Sequence, residues 1–582
     1  MATVANKPKL GDILVEGGVI TPLELDEGMQ RQRLTGDFLG RVLAKMELCT
    51  EQDILEALGV QQGMERVNVS LLKIKDEVLR KLPSDVAKFY NVVPIREKED
   101  GTIIVALADP LNLSVLDDLQ QIMGCRVEGA VSSLEEVQQS IKSNYSFEGD
   151  SIHGTLEDLL EIVGDKELTL EELGQQKIIG DVDNLIELAQ EPEVIKIVNL
   201  VLLEAVQKKA SDVHFEVYEE DFRVRIRVDG VLHEIVSPPK AISIALISRI
   251  KIMSDMDIGE RRLPQDARIE LKIGDSDIDV RVATLPTLYG ECLTLRLLDR
   301  QSVQADLNKI GLAEDMKKEV IEIIHQASGL FLVTGPTGCG KTTTLYGCLN
   351  ELNDIREKII TCEDPVELQI ENLVQVQIKE ETGLTFANTL RSILRQDPDI
   401  CMVGEVRDLE TANICIEASL TGHMVLSSIH TNSAVETITR LLDMDVEPFL
   451  ITSSLEGILA QRLLRRLCRD CSQKFKPDPE EMEKLGIPDA WRKDPNFAMY
   501  RSKGCAACDY IGYRGRTGIY ELLPIDDSLR EMILDRSMTH IMRKYARKHL
   551  GMRTLRESAL LLAVQGITSV EEVFTHTELL ID

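Results

Sequence analysis

Residues 335–343 read Gly-Pro-Thr-Gly-Cys-Gly-Lys-Thr-Thr, and types at that spacing suit phosphate binding. Gly335, Gly338 and Gly340 let backbone N–H groups converge on phosphate oxygens without a Cβ in the way. Pro336, Thr337 and Cys339 complete the turn, and Lys341, Thr342 and Thr343 open a helix whose N-terminus adds a positive dipole end. At this spacing Lys341 reaches the β/γ-phosphates and the Thr342 hydroxyl can ligate Mg²⁺. An apolar run, GLFLVT, precedes the loop, as a buried strand would.

Acids follow at the ends of two further apolar runs. In DPDICMVGEVRD (397–408) Glu405 ends a strand, where a carboxylate beside a phosphate loop can polarise water; Asp399 or Glu405 can support magnesium. In IITCEDPVEL (359–368) Glu363 and Asp364 end another strand. His423 and His430 flank a third, MVLSSI, and are candidates for sensing nucleotide. A separate constellation is Cys468-Arg-Asp-Cys471 with Cys505-Ala-Ala-Cys508, two C-x-x-C knuckles 33 residues apart. Four thiolates at that spacing suit tetrahedral Zn²⁺ with no open position, hence a structural site, with redox use the minor alternative.

The elements that must position these groups are read from the rest of the chain. A length of 582 residues gives about four domains at roughly 150 residues each. With 43 % hydrophobic and 28 % charged residues the composition is that of a globular protein. The net charge of −32 argues against a general nucleic-acid or anionic-membrane binder. The sequence has no long apolar run and no apolar leader at its start, so membrane work is expected only through partners. Eight of the 12 cysteines are scattered singly, which points to a reducing cytosol.

Residues 9–32 and 38–61 repeat at an offset of 29, aligning Leu10, Gly11, Leu14 and Leu25 with Leu39, Gly40, Leu43 and Ile54. Each copy reads as helix, turn, helix, with Thr21 and Thr50 at N-caps, so 1–64 is expected to be a paired-helix module. Residues 65–145 read as a small α/β domain. Residues 146–193 hold 14 acidic residues against two lysines, so 146–192 is expected to be an acidic linker with one or two short helices. Residues 193–303 read as a second α/β domain, opening with a helix over 193–210 and continuing in antiparallel strands, with Asp229-Gly230 as a hairpin turn. Residues 304–582 form the domain that carries the chemistry, including the cysteine region at 460–515.

The phosphate loop, aspartate box, acidic strand and histidine box, in this order, resemble those of the secretion-superfamily ATPases, the hexameric motors of type II secretion and type IV pilus machines. The resemblance is strong over 190–582. It implies an α/β fold: a RecA-like P-loop ATPase domain, a preceding PAS-like domain, a tetracysteine zinc insertion and an N-terminal helical/αβ module. It also implies that Gly335 to Thr343 bind ATP with Mg²⁺, that Glu405 is the catalytic glutamate, that Glu363 and His430 approach the γ-phosphate, and that His423 supports the histidine box. The preceding domain is expected to supply arginines, foremost Arg268 and Arg281, then Arg249 and Arg227, since a guanidinium fork binds phosphate bidentately. Secretion and pilus-extension members carry the tetracysteine insertion and retraction members lack it.

The paired helices resemble a cyclic-di-GMP-binding module of some of these ATPases, a tandem of R-L-G…G…L…L…Q motifs. Lys9 and Phe38 stand where that pattern has arginine, and Glu47 where it has glycine, so docking of a partner protein is the favoured use. The expected whole is a cytoplasmic homohexamer, peripheral at the inner membrane. It would work on an inner-membrane platform protein and on the cytoplasmic domain of an inner-membrane anchor protein, with no nucleic acid. ATP would clamp the PAS-like domain onto the ATPase domain and hydrolysis would release it. The rival readings are a cyclic-di-GMP-responsive regulator without motor output and a DNA motor.

Overall fold

The computed structural model describes residues 9–35, 39–46, 48–110, 114–145, 156, 182–273, 276–299, 306–494 and 497–578. Phe38, Glu47 and most of the acidic segment lie outside them. The chain divides into two units, Met1–Asp299 and Arg300–Asp582. Among the described residues, no helix is long and apolar enough to cross a membrane.

The first unit opens with helices Leu10–Glu16, Pro22–Thr35, Leu39–Lys45 and Glu51–Gln62. The repeat has a packing logic. A Cβ on Gly11 would lie 2.5 Å from Leu25 Cδ1, and one on the equivalent Gly40 would lie 3.1 Å from Ile54 Cγ2. Each glycine thus lets the first helix of its copy lie against the second, and Leu14 and Leu43, equivalent in the two copies, are buried in the shared core. Both N-caps form: Glu24 N–H donates to Thr21 Oγ1 at 3.3 Å and Asp53 N–H to Thr50 Oγ1 at 3.2 Å.

A four-stranded sheet follows, β1 (Glu65–Arg66), β2 (Val92–Glu97), β3 (Ile103–Leu107) and β4 (Val127–Val131), in the order β1-β4-β3-β2. Within the acidic segment the helix Val182–Ala189 is described. After helix Pro192–Gln207 comes a second, antiparallel sheet: β5 (Asp212–Val217), β6 (Phe222–Val228), β7 (Val231–Val236), β8 (Gln265–Ile273), β9 (Ser276–Thr287) and β10 (Gly290–Asp299). Its order, β7-β6-β5-β10-β9-β8, is PAS-like. Asp229 and Gly230 make the β6–β7 turn with φ of 49° and 86°, as a two-residue hairpin requires. Strict alternation sends Val213, Phe215, Val224, Ile226, Val280, Val282, Leu293 and Leu295 to the core.

The second unit is built on a seven-stranded sheet: β11 (Gly329–Thr334), β12 (Ile359–Glu363), β13 (Val374–Gln377), β14 (Ile400–Val403), β15 (Met424–Ile429), β16 (Leu455–Leu467) and β19 (Tyr513–Pro524). The order is β13-β12-β14-β15-β11-β16-β19, parallel except for β16 with β19. One strand, β15, separates β11 from β14, the RecA-like arrangement. Parallel strands covered on both faces must be apolar throughout, and β11 is buried at all six positions. Helix Lys341–Leu352 packs on one face through Leu345, Tyr346 and Leu349; Phe386–Ile393, Leu409–Leu420 and Ala434–Asp443 cover the other. Burying each of Phe331, Leu332 and Val333 is worth about 1.5–3 kcal/mol. A two-stranded antiparallel sheet, β17 (Ser472–Phe475) with β18 (Met499–Ser502), interrupts the run between β16 and β19.

Candidate active site and metal centre

Because β11, β12, β14 and β15 run parallel, the segments that follow them share one edge of the sheet. The phosphate loop sits at that edge. Gly335, Gly338 and Gly340 take φ of 149°, 76° and 90°. A Cβ on Gly335 would lie 2.5 Å from the Gln461 carbonyl oxygen, so only glycine fits. Lys341 folds back: its Nζ donates to the Gly335 carbonyl at 2.9 Å and the Pro336 carbonyl at 3.3 Å, and lies 3.4 Å from His430 Nδ1. Burial lowers the Lys341 pKa against the opposing pull of Cys339 and Glu405. These two carbonyls are weak partners for an ammonium, and phosphate oxygens would be stronger ones. Thr342 is exposed at the helix start with its hydroxyl free of hydrogen bonds to described residues, so it can ligate Mg²⁺.

Glu405 and His430 do come together with Lys341. Glu405 Oε2 lies 3.2 Å from His430 Nε2, and Arg407 donates to Glu405 Oε1. Lys341 above Nδ1 and the carboxylate beside Nε2 fit an imidazole that accepts at Nδ1 and donates at Nε2. Arg407 also lies 3.8 Å from Asp364. Glu405 can therefore polarise a water placed between itself and a phosphate held by the loop.

The other expected groups have partners of their own. Glu363 is buried, and both carboxylate oxygens are engaged: Oε2 accepts from Tyr346, Oε1 from Thr361 Oγ1 at 2.5 Å and from Gln375 Nε2 at 3.1 Å. Burial, with the Glu363 charge beside it, raises the Tyr346 pKa. Asp399 precedes β14, at the sheet edge away from the loop, and accepts from Lys358 N–H at 2.7 Å. His423 precedes β15 at that same far edge, with Nδ1 2.8 Å from the Ala418 carbonyl.

Arg268 and Arg281 lie in the first unit on the polar face of the PAS-like sheet. Register places Arg268 opposite Arg281, Arg281 opposite Arg296, Arg296 opposite Asp212 and Asp212 opposite Arg227, a single row across five strands. Arg268 grips Asp279 with Nε and Nη2 at 2.6 and 2.5 Å, and Arg296 Nε lies 3.1 Å from Asp212. Arg227 donates to the Gly230 carbonyl at 2.9 Å. Arg249, on helix Ser243–Met253, is off this row, and its Nε is buried with no hydrogen-bond partner among the described residues.

The four cysteines converge. Their sulfurs all lie within 4.8 Å of one another, with Cys468 to Cys505 and Cys471 to Cys508 at 3.8 Å and Cys505 to Cys508 at 3.7 Å. Zn–S bonds of about 2.3 Å in a tetrahedron require S···S edges of about 3.8 Å, so the donor set fits zinc. Backbone N–H groups of Cys505 and Gly512 point at Cys508 Sγ, each at 3.2 Å. Burial pushes the Cys508 thiol up, yet the hydrogen bonds outweigh it and leave the pKa at about 7. Cys468 directly follows β16, and four residues separate Cys508 from the start of β19, so the cluster ties the ends of these two strands.

Comparison with known proteins places the chain in a family. Residues 187–575 match the family model described as Type II/IV secretion system protein. The chain belongs to that family. Residues 62–151 match the MshEN domain, which falls on the four-stranded sheet and not on the helical repeat before it. The chain is 41 % identical over 572 residues to the type IV pilus assembly ATPase PilB of Myxococcus xanthus, covering 98 % of this chain and 99 % of that one. It is also 41 % identical over 574 residues to the type II secretion system protein E of Xanthomonas campestris pv. campestris, covering 98 % of each. With the Vibrio cholerae type II secretion system ATPase E the identity is 40 %, covering 86 % of this chain and 97 % of that one.

As a member of the type II/IV secretion family the chain is an ATP-hydrolysing enzyme, and ATP is its substrate. Three residues at or near the candidate sites escaped the sequence reading. Arg407 stood in the quoted GEVRD run, two residues from Glu405. Arg296 lies in β10, where a lone arginine among apolar residues was the available signal. Gln461 carried no local signal.

Proposed function

We propose that the chain is a motor that hydrolyses ATP to ADP and phosphate to assemble a pilus or pseudopilus, working as six copies at the cytoplasmic face of the inner membrane through membrane-embedded partners. The observation that carries this reading is the Lys341–His430–Glu405 chain of contacts at the mouth of the glycine loop. The loop's N–H groups and Lys341 hold the β/γ-phosphates. Magnesium, held by Thr342, would neutralise phosphate charge. Glu405, oriented by Arg407 and His430, takes a proton from the attacking water. Glu363 braces Tyr346 and Gln375 and so fixes the segment after β12.

The equal likeness to a pilus ATPase and to type II secretion proteins supports an output common to both, a fibre of pilin-like subunits. The four-sulfur cluster favours assembly over retraction, by the family resemblance drawn above. We also propose that the paired-helix module docks a partner protein. Steady-state phosphate release by the purified chain tests the enzyme reading: Lys341→Ala should abolish it, and undiminished release would remove the loop from the mechanism.

A further inference from the structure

The glycine loop is held from the side by a residue that phosphate chemistry does not itself require. β16 runs parallel to β11 with Ala460 opposite Thr334, so Gln461 stands beside the first loop residue. It is 2 % exposed. Its Nε2 donates to the Cys339 carbonyl and its Oε1 accepts from Thr344 Oγ1, both at 2.7 Å. Its own carbonyl closes against Gly335, and its Nε2 would be 3.4 Å from a Cβ on Gly340. One buried residue thus meets the loop's beginning through its backbone carbonyl, and the loop's last turn and the following helix through its side chain.

We propose that Gln461 is the positioning residue of the phosphate loop. Every loop N–H that points at a phosphate requires its neighbouring carbonyl to point away. Cys339 and Thr344 are both buried, at 4 % and 1 % exposure, so water does not replace the amide if it is lost. Without Gln461 the Cys339 carbonyl is released to turn toward the nucleotide, where its partial negative charge opposes the polyphosphate. The Thr344 bond anchors the amide from the helix side and leaves the loop carbonyl untouched. Loop amides contact phosphate equally in the ground and transition states, so the loss falls on binding and spares the chemical step.

This inference rests on the nucleotide site proposed above, and one titration separates the two. ATP affinity is measured by calorimetry in magnesium buffer, and KM and kcat by phosphate release, on the full chain. The variants are Gln461→Met, which keeps length and removes both bonds, and Gln461→Asn, which keeps the amide but falls one methylene short of Cys339. Thr344→Val removes only the helix-side bond. Gln461→Met should raise Kd and KM for ATP at least fivefold with kcat within threefold, while Thr344→Val shifts them less than twofold. Should Gln461→Met fail to fold, Gln461→Asn decides by the same thresholds. ATP affinity within twofold of wild type in the folded Gln461 variants, whatever their melting temperatures, would overturn the proposal. Absence of ATP binding by the wild-type chain would instead defeat the nucleotide site.

Discussion

Replacing Glu405 by Gln removes one proton-accepting oxygen and changes little else. The side chain is 18 % exposed, and its neighbours are Arg407 and His430. A positioned base contributes about 10²–10⁴ in rate, which is about 2.7–5.4 kcal/mol of activation free energy. The stability cost is far smaller. The Arg407 contact weakens from charge-assisted to neutral, roughly a halving, and its solvent-facing position reduces this to about 1 kcal/mol or less. In a unit of this size that is a fall of about 2–4 °C in Tm. Nothing in the loop changes, so ATP still binds. Stopped-flow phosphate release, ATP calorimetry and differential scanning calorimetry together give the signature: kcat down at least 100-fold, Kd within threefold, and Tm within a few degrees. A kcat within threefold of wild type would refute the assignment of Glu405 as the group that readies water.

Metal analysis of the purified chain should find about one zinc per chain, and Cys471→Ser should lose it and lower Tm; full zinc content in that variant would reject the four-sulfur site. Leu43→Ala, which truncates a fully buried side chain, should cost the paired-helix module about 2–5 kcal/mol, read as a lower melting temperature, while kcat stays within twofold. Arg281→Ala should lower kcat/KM for ATP without changing far-UV circular dichroism; unchanged kinetics would confine the arginine row to a structural role. Cyclic-di-GMP at 100 μM should leave phosphate release unchanged within about 20 %, as expected of a module that docks protein; a change of twofold or more would favour the dinucleotide reading.

The loop was legible because its chemistry is local: three glycines, a lysine and a threonine within eight residues, behind a run that only a buried strand explains. Glu405 and His430 were legible as strand-end residues. Asp399 and His423 look the same in sequence, since each also flanks an apolar strand. Strand direction separates them, because residues before a parallel strand lie at the opposite sheet edge from those after it. Glu363 was placed at the right strand end, but its burial and its bonds to Tyr346 and Gln375 depend on packing against a helix and a neighbouring strand. Gln461 lies 122 residues from Cys339, and only the β11–β16 register brings them together. The repeat was readable to the residue, since Gly11 with Leu25 and Gly40 with Ile54 are equivalent contacts in two copies.

In the proposed mechanism the amides around Gly340 and the Lys341 ammonium grip a triphosphate. Calorimetric titration of the full chain with ATP in magnesium buffer, beside Lys341→Ala, measures this directly. The wild-type chain should bind one ATP per site and the variant at least 50-fold more weakly. Equal affinity in the two, or no heat of binding in the wild type, would contradict it.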